Sequence, residues 1–242
     1  MRDQLLIGLH VISCLQFAYA VYYDSMYVTE NVVRSQGVYG GKFKYLTFLD
    51  AIIQAVFFFI CLVNDFYGTN AVNPKKAPLI RKIKDNIHAV LGFPVAMFVG
   101  VTFWSLMFVD RELIFPKALD AFFPAWLNHL MHTMVMVTIV IETISAPRNY
   151  PKRSKGIISL VFFLISYLVW VLIIYVKSGV WVYPILDVLP LPFFILFLIS
   201  LIGMSTICYI AGEKLDSLIW GREYAKYQKS HIKIRPFKNL PI

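Results

Sequence analysis

Two short stretches of this 242-residue chain place chemically capable side chains in otherwise apolar surroundings. Thr47, Asp50 and Gln54 stand at i, i+3 and i+7, on one face of a helix. Asn128 and His132 stand at i and i+4, with His129 and Thr133 beside them and Thr138 deeper. A hydroxyl is a weak nucleophile until a neighbouring base takes its proton, and histidine is the commonest such base. Thr47 and His132 supply that pair, and the chemistry would be acyl transfer. Asn128, one turn before His132, would orient the imidazole or donate to an oxyanion, and Asp50 would serve the first of these purposes.

Two other readings compete. Threonine in a membrane helix mostly bonds a preceding carbonyl or packs against a neighbour, so these side chains could simply lock helices together, His129 and Asn128 most readily. Alternatively, His129 and His132 at i and i+3, with Asp50, point to a metal. That spacing puts two imidazoles on one ion, the remaining ligands would have to come from elsewhere, and His10 and His88 start from the wrong side or depth. The expectation is no metal and no cofactor.

The elements that must position these residues are six apolar runs, at about residues 5–23, 45–63, 87–109, 125–145, 157–176 and 190–211. Each is close to the ~20 residues a helix needs to cross ~30 Å of hydrocarbon. Seventeen of the 23 Lys and Arg fall on the N-terminus, the 64–86 and 146–156 loops and the segment after Ala211; six fall on the alternate connections. Positive residues stay on the cytosolic side, so the count predicts both termini in the cytosol, with segments 24–44, 110–124 and 177–189 in the lumen or outside. The fold class expected is an all-α membrane protein, a bundle of six transmembrane helices. Both polar clusters begin near the lumenal ends of their helices, as they must if they are to meet.

Composition narrows the function classes. The chain is 59% hydrophobic and 15% charged, with a mean hydropathy of +0.67, which excludes an ordinary soluble domain. The net charge of +9 is dispersed over loops that leave no room for a nucleic-acid-binding fold. Residues 1–211 are read as one membrane domain and 212–242 as a basic cytosolic tail, whose Arg222, Lys226, Lys229, Lys233, Arg235 and Lys238 suit an anionic leaflet or simply fix topology. Cys14, Cys61 and Cys208 fall within spans without metal or redox spacing. Ala18-Tyr19-Ala20 looks like a leader cleavage site, but the apolar run continues past it, so the first span is expected to be retained. A transporter is disfavoured because intramembrane charges are few and no inverted repeat is visible. Glu142 is expected to reach the interface, as are the mixed segment 110–124 and the aromatic markers Tyr45, Trp126, Trp181 and Tyr183.

Spacing also sets a difficulty. Thr47 lies two residues from the Tyr45 marker, ~3 Å deep, whereas His132 lies six beyond Trp126, ~9 Å deep. Helix tilt, or a second span that begins outside the hydrocarbon, has to absorb the difference of ~6 Å.

Several blocks carry a family resemblance: Lys44-Tyr-Leu-Thr-Phe-Leu-Asp50, Gly92-Phe-Pro-Val95, Asp110-Arg-Glu-Leu-Ile, Trp126-Leu-Asn-His-Leu-Met-His-Thr133, Tyr150-Pro-Lys-Arg-Ser-Lys-Gly156, Trp181-Val-Tyr-Pro184 and Gly212-Glu-Lys-Leu215. From the first span to about Leu218, the chain resembles the family of the androgen-induced gene 1 protein and the androgen-dependent TFPI-regulating protein. The resemblance implies a multipass threonine hydrolase that splits fatty acid esters of hydroxy fatty acids, the ester entering from the bilayer of the endoplasmic reticulum or plasma membrane. The family's catalytic threonine maps to Thr47 and its histidine to His132. Where many relatives have Ile-Tyr-Pro-Lys, this chain has Ile114-Phe-Pro-Lys117. The rival function is a noncatalytic lipid-binding or regulatory multipass membrane protein, with the polar pair only locking helices.

Overall fold

The computed structural model describes residues 2–28, 39–72, 74 and 76–233, and every regular element among them is helical. Six helices are long and apolar enough to cross a membrane. They are α1 (Arg2–Tyr23), α2 (Leu46–Tyr67), α3 (Leu79–Val109), α4 (Ala125–Ser145), α5 (Arg153–Ser178) and, after the short α6 (Ile185–Val188), α7 (Leu191–Lys233). Each expected span is present. Several extend further, because polar residues at their ends find partners inside the bundle. α3 begins at Leu79 instead of near 87, and α7 runs through the expected tail boundary with Asp216 and Trp220 buried. The tail residues Ile234, Arg235, Phe237 and Lys238, and Asn73 and Lys75 of the 64–86 loop, lie outside the described residues.

Aromatic rings fill the centre. Phe17 of α1, Phe57 and Phe58 of α2, Phe93 of α3 and Val135 and Ile139 of α4 form one buried cluster. The outward faces of α5 and α7 carry exposed Phe162, Ile165, Val169, Phe193, Leu196 and Ile199, the surface expected against lipid tails.

Three helices contain a single π-helical turn: Asp24–Val28 at the end of α1, His88–Gly92 in α3 and Leu130–Met134 in α4. A π turn adds one residue and frees a carbonyl from the regular ladder. In α3 that freedom is used across helices: Gln54 Nε2 donates to Gly92 O at 2.9 Å and to Asp50 Oδ1 at 2.9 Å. Asp50 and Gln54, both fully buried, therefore tie α2 to the bend of α3.

At the Asp65 end of α2, basic residues of the 64–86 and 146–156 loops, counted on the cytosolic side, enter a buried ionic network. His10 Nδ1 meets Asp65 Oδ2 at 2.5 Å and its Nε2 meets Glu142 Oε2 at 2.9 Å. Arg148 donates to the Glu142 carbonyl at 2.8 Å and lies 3.5 Å from Asp216. Arg81 pairs with Asp85 at 2.8 Å and also bonds the Pro147 carbonyl, while Lys84 bonds Asn70 at 2.7 Å. Glu142 is thus fully buried and does not reach the interface. Tyr224, on the extension of α7, donates to Arg148 O at 2.8 Å and closes this end. His10, Cys61 and Glu142 bring ligand-type atoms within 4.8 Å of one another, but both imidazole nitrogens are already engaged by carboxylates.

Candidate active site

Thr47 sits at the second position of α2, and its placement follows from how that helix starts. Gly40 and Gly41 take left-handed backbone angles, φ 85° and 50°, and a 3-10 turn over Gly41–Lys44 then swings the chain into the bundle. No side chain from within the turn caps the helix. The cap comes from α5 and the 179–184 segment: the Leu46 N–H donates to both Tyr167 Oη and Tyr183 Oη at 3.0 Å. Tyr167 gives its own proton to Lys44 O at 2.8 Å, which makes Tyr183 the donor in the 2.8 Å bond between the two hydroxyls. The backbone ladder begins with Leu49 N–H to Tyr45 O at 3.2 Å, so the N–H groups of Thr47 and Phe48 precede its first rung.

His132 lies in the π turn of α4 and is held on three sides. Its Nδ1 is 2.9 Å from the Asn128 carbonyl, its ring stacks on Phe103 at 3.5 Å between centroids and 15° between planes, and its Nε2 is 3.1 Å from Thr47 Oγ1. A carbonyl only accepts, so a proton resides on Nδ1, and in the neutral imidazole the Nε2 lone pair faces the threonine hydroxyl. That is the neutral tautomer a general base requires. The two side chains meet despite the ~6 Å difference in depth that the spacing sets.

The other expected members are arranged differently. Asn128 orients His132 through its main-chain carbonyl, while its side-chain Oδ1 is buried without a hydrogen-bond partner. Asp50 bonds Gln54 and does not orient the imidazole. His129 turns to the outside, 3.3 Å from Thr133 Oγ1 and stacked on Trp104 at 5.3 Å. His129, His132 and Asp50 thus have separate partners, which removes the geometric basis for a metal on those three. Thr138 donates to the Met134 carbonyl at 2.7 Å and plays a helix-packing part.

Two cavities meet at Thr47. One, of about 130 Å³, is walled by apolar side chains of α3, α5 and α7, among them Phe98, Leu164 and Leu201. The other, of about 100 Å³, holds Lys42, Asp24 and His132 and is roofed by Phe115 and Leu119 of the 110–124 segment. Thr47, Phe103, Ile114 and Tyr183 line both. A hydroxyl with an adjacent base, placed between an apolar chamber and a polar one, can attack an amphiphile at the junction of its two parts.

Against known families, the model described as FAR-17a/AIG1-like protein matches residues 5–217. The chain belongs to this family. The human androgen-induced gene 1 protein is 39% identical over 192 residues, covering 77% of this chain and 81% of the relative. The mouse androgen-dependent TFPI-regulating protein is 39% identical over 183 residues, 75% and 79% of the two chains. A Schizosaccharomyces pombe membrane protein is 26% identical over 174 residues, 71% and 74%. No solved structure gives a significant match. The family match takes in both Thr47 and His132 and stops before the last helical turns of α7.

Three neighbours of the dyad escaped the sequence reading. Tyr183 looks like an interfacial marker in Trp181-Val-Tyr-Pro184, yet its ring turns inward to cap α2. Phe103 is one of many phenylalanines in a uniformly apolar run, and nothing in that run signals a stack on histidine. Lys42 sits in a loop with few basic residues, and that scarcity is the only local hint that its charge serves something other than topology.

Proposed function

We propose that this protein is an intramembrane hydrolase that cleaves fatty acid esters of hydroxy fatty acids, with Thr47 as nucleophile and His132 as general base. The observation that carries this reading is the 3.1 Å contact between Thr47 Oγ1 and an imidazole whose other nitrogen is committed to a main-chain carbonyl. The substrate class comes from the resemblance in the sequence blocks, and the pairing of an apolar with a polar cavity supports it.

In this scheme an ester enters sideways from the leaflet, with its acyl chain in the apolar cavity and its hydroxy acid part in the polar one. His132 Nε2 takes the Thr47 proton as Oγ1 attacks the ester carbonyl carbon. The Thr47 and Phe48 N–H groups, ahead of the first rung of α2 and at the positive end of its dipole, stabilise the oxyanion. As the C–O bond to the hydroxy acid breaks, the imidazolium returns its proton to the departing alkoxide. Water then attacks the acyl-threonine, giving its proton to Nε2, and the free fatty acid leaves as Thr47 recovers its hydrogen. Asn128 O acts only by holding the ring. Both termini face the cytosol, and the dyad opens toward the lumen or exterior of the endoplasmic reticulum or plasma membrane.

The test is to incubate purified wild-type and Thr47→Ala protein with a fatty acid ester of a hydroxy fatty acid and measure free fatty acid. Loss of roughly a thousandfold or more in the variant is expected. Undiminished hydrolysis by Thr47→Ala would overturn Thr47 as the nucleophile, and hydrolysis by neither protein would leave the lipid-binding or regulatory reading.

A further inference from the structure

Two lysines stand at the head of the helix that carries Thr47, and both are taken out of water. Lys42 is 8% exposed and Lys44 is 7% exposed. Burial pushes the pKa of each below the usual lysine value, and for Lys44 the nearby Lys42 charge pushes in the same direction. An ammonium withdrawn from solvent is costly unless something anionic meets it. Lys42 Nζ donates to Asp24 Oδ1 at 2.7 Å. Among the described residues, Lys44 Nζ meets the face of the Tyr45 ring at 5.2 Å and no carboxylate lies in ion-pair contact with it. Among the described residues the cluster holds two ammonium groups and the carboxylate of Asp24.

Of the two lysines, Lys42 is the one that reaches the dyad, while Lys44 lies outside the lining of the polar cavity. Lys42 and Asp24 line the same polar cavity as Thr47 and His132. An ammonium has three N–H donors, and Lys42 spends one on Asp24. The backbone fixes the position. A Cβ on Gly40 would sit 3.2 Å from Ile174 Cδ1, so the left-handed Gly40 lets the turn pack directly on α5. Trp170 Nε1 also bonds Phe43 O at 3.1 Å and pins the turn between the two lysines.

We propose that Lys42, reinforced by Lys44, forms a carboxylate-binding subsite in the polar cavity, which holds the free acid group of the substrate while its ester carbonyl lies against Thr47. The ligand class is a lipid ester with a carboxylate on its alcohol half. An incoming carboxylate would meet the Lys42 N–H donors that are not spent on Asp24. The subsite also sets the direction of binding: the charged half is drawn to the Lys42 cavity, leaving the acyl chain for the apolar one. The inference rests on Thr47 as the nucleophile.

The experiment compares kcat/KM for the palmitate ester of a hydroxystearic acid, as its free acid and as its carboxyl methyl ester, in purified wild-type, Lys42→Met, Lys42→Arg and Lys44→Met protein. A charged hydrogen bond lost on methylation corresponds to a preference of about tenfold or more for the free acid in wild type, carried by KM. Lys42→Met is expected to bring the ratio of the two esters close to one, Lys42→Arg to retain most of it, and Lys44→Met to lower it. Where Lys42→Met alone fails to fold, Asp24→Asn combined with Lys42→Met removes both charges of the pair and is expected to show the same collapse. Equal turnover of the two esters by wild type, or an unchanged ratio in the Lys42 variants, overturns the subsite and leaves the hydrolase reading standing. Turnover of neither ester by wild type overturns both.

Discussion

Gly100 of α3 faces the backbone of His132 so closely that a Cβ at this position would lie 2.6 Å from the His132 carbonyl oxygen and 2.5 Å from Met136 Sδ. The π turn of α4 is thus pressed against α3 at a point where only a hydrogen fits, and Phe103, less than a turn further along α3, stacks on the imidazole. Helix contact and orientation of the imidazole are one feature of the packing. Gly100→Ala is expected to cost about 1–3 kcal/mol through overpacking and to lower ester turnover by moving His132. Gly203→Ala, where no atom lies within 4 Å of the added carbon, should be close to neutral. Thermal unfolding and turnover of the two variants check this together, and equal behaviour would refute it.

The proposed nucleophile, Thr47, is expected to be selective for hydroxyl and geometry. An acylating or fluorophosphonate probe should modify Thr47, and both Thr47→Ala and His132→Ala should abolish labelling while the purified protein keeps its helical signal. Thr47→Ser should retain part of the activity because the hydroxyl survives. Peptide mapping of the labelled protein reads the site, and modification at any other residue counts against the dyad.

His129 and His132 should separate cleanly. His129 is turned outward onto Trp104, so His129→Ala is expected to keep measurable turnover with some loss of stability or expression. His132→Ala removes the base and should lose turnover by several orders of magnitude. The comparison is made on kcat in matched preparations, with a chelator added to one set. Parallel loss in both variants, sensitive to chelator, would instead indicate a metal.

The buried network at the far end should dominate stability. Glu142→Ala leaves His10 and Arg148 facing an emptied position in a fully buried site, and is expected to cost about 3–5 kcal/mol. Arg153→Ala removes the partner of Glu213 at 2.7 Å, with Arg153 60% exposed, and should cost no more than about 1 kcal/mol. Unfolding midpoints in mixed micelles rank the two, and similar shifts would show that the network is not holding this end.

Topology gives a further expectation. In sealed vesicles with the cytosolic side inward, tags at both termini should be protected from protease, and a tag at Gly179, in an open turn after α5, should be cleaved. A cleaved C-terminal tag would reverse the orientation and with it the side on which Thr47 opens.

The sequence by itself determined the number of spans, because span length and hydropathy are local properties, and its distinctive blocks singled out Thr47 and His132 as a candidate pair. It also determined that Thr47 and Asp50 share a helix face. The roles within the site were decided elsewhere. Asp50 and Asn128 both looked able to orient the imidazole; the π turn of α4 sets His132 Nδ1 on the Asn128 main-chain carbonyl, a group no residue code reveals. The π turn of α3 draws Asp50 and Gln54 the other way. Glu142, Arg81 and Arg148 read as solvated ends, yet they are buried because partners from α1, α3 and α7 converge on them in three dimensions. Lys42 belongs to the same class: periodicity fixes which way a side chain leaves its own helix, but whether an opposite charge or a cavity waits there depends on chains that are distant in sequence, and only tertiary packing brings those together.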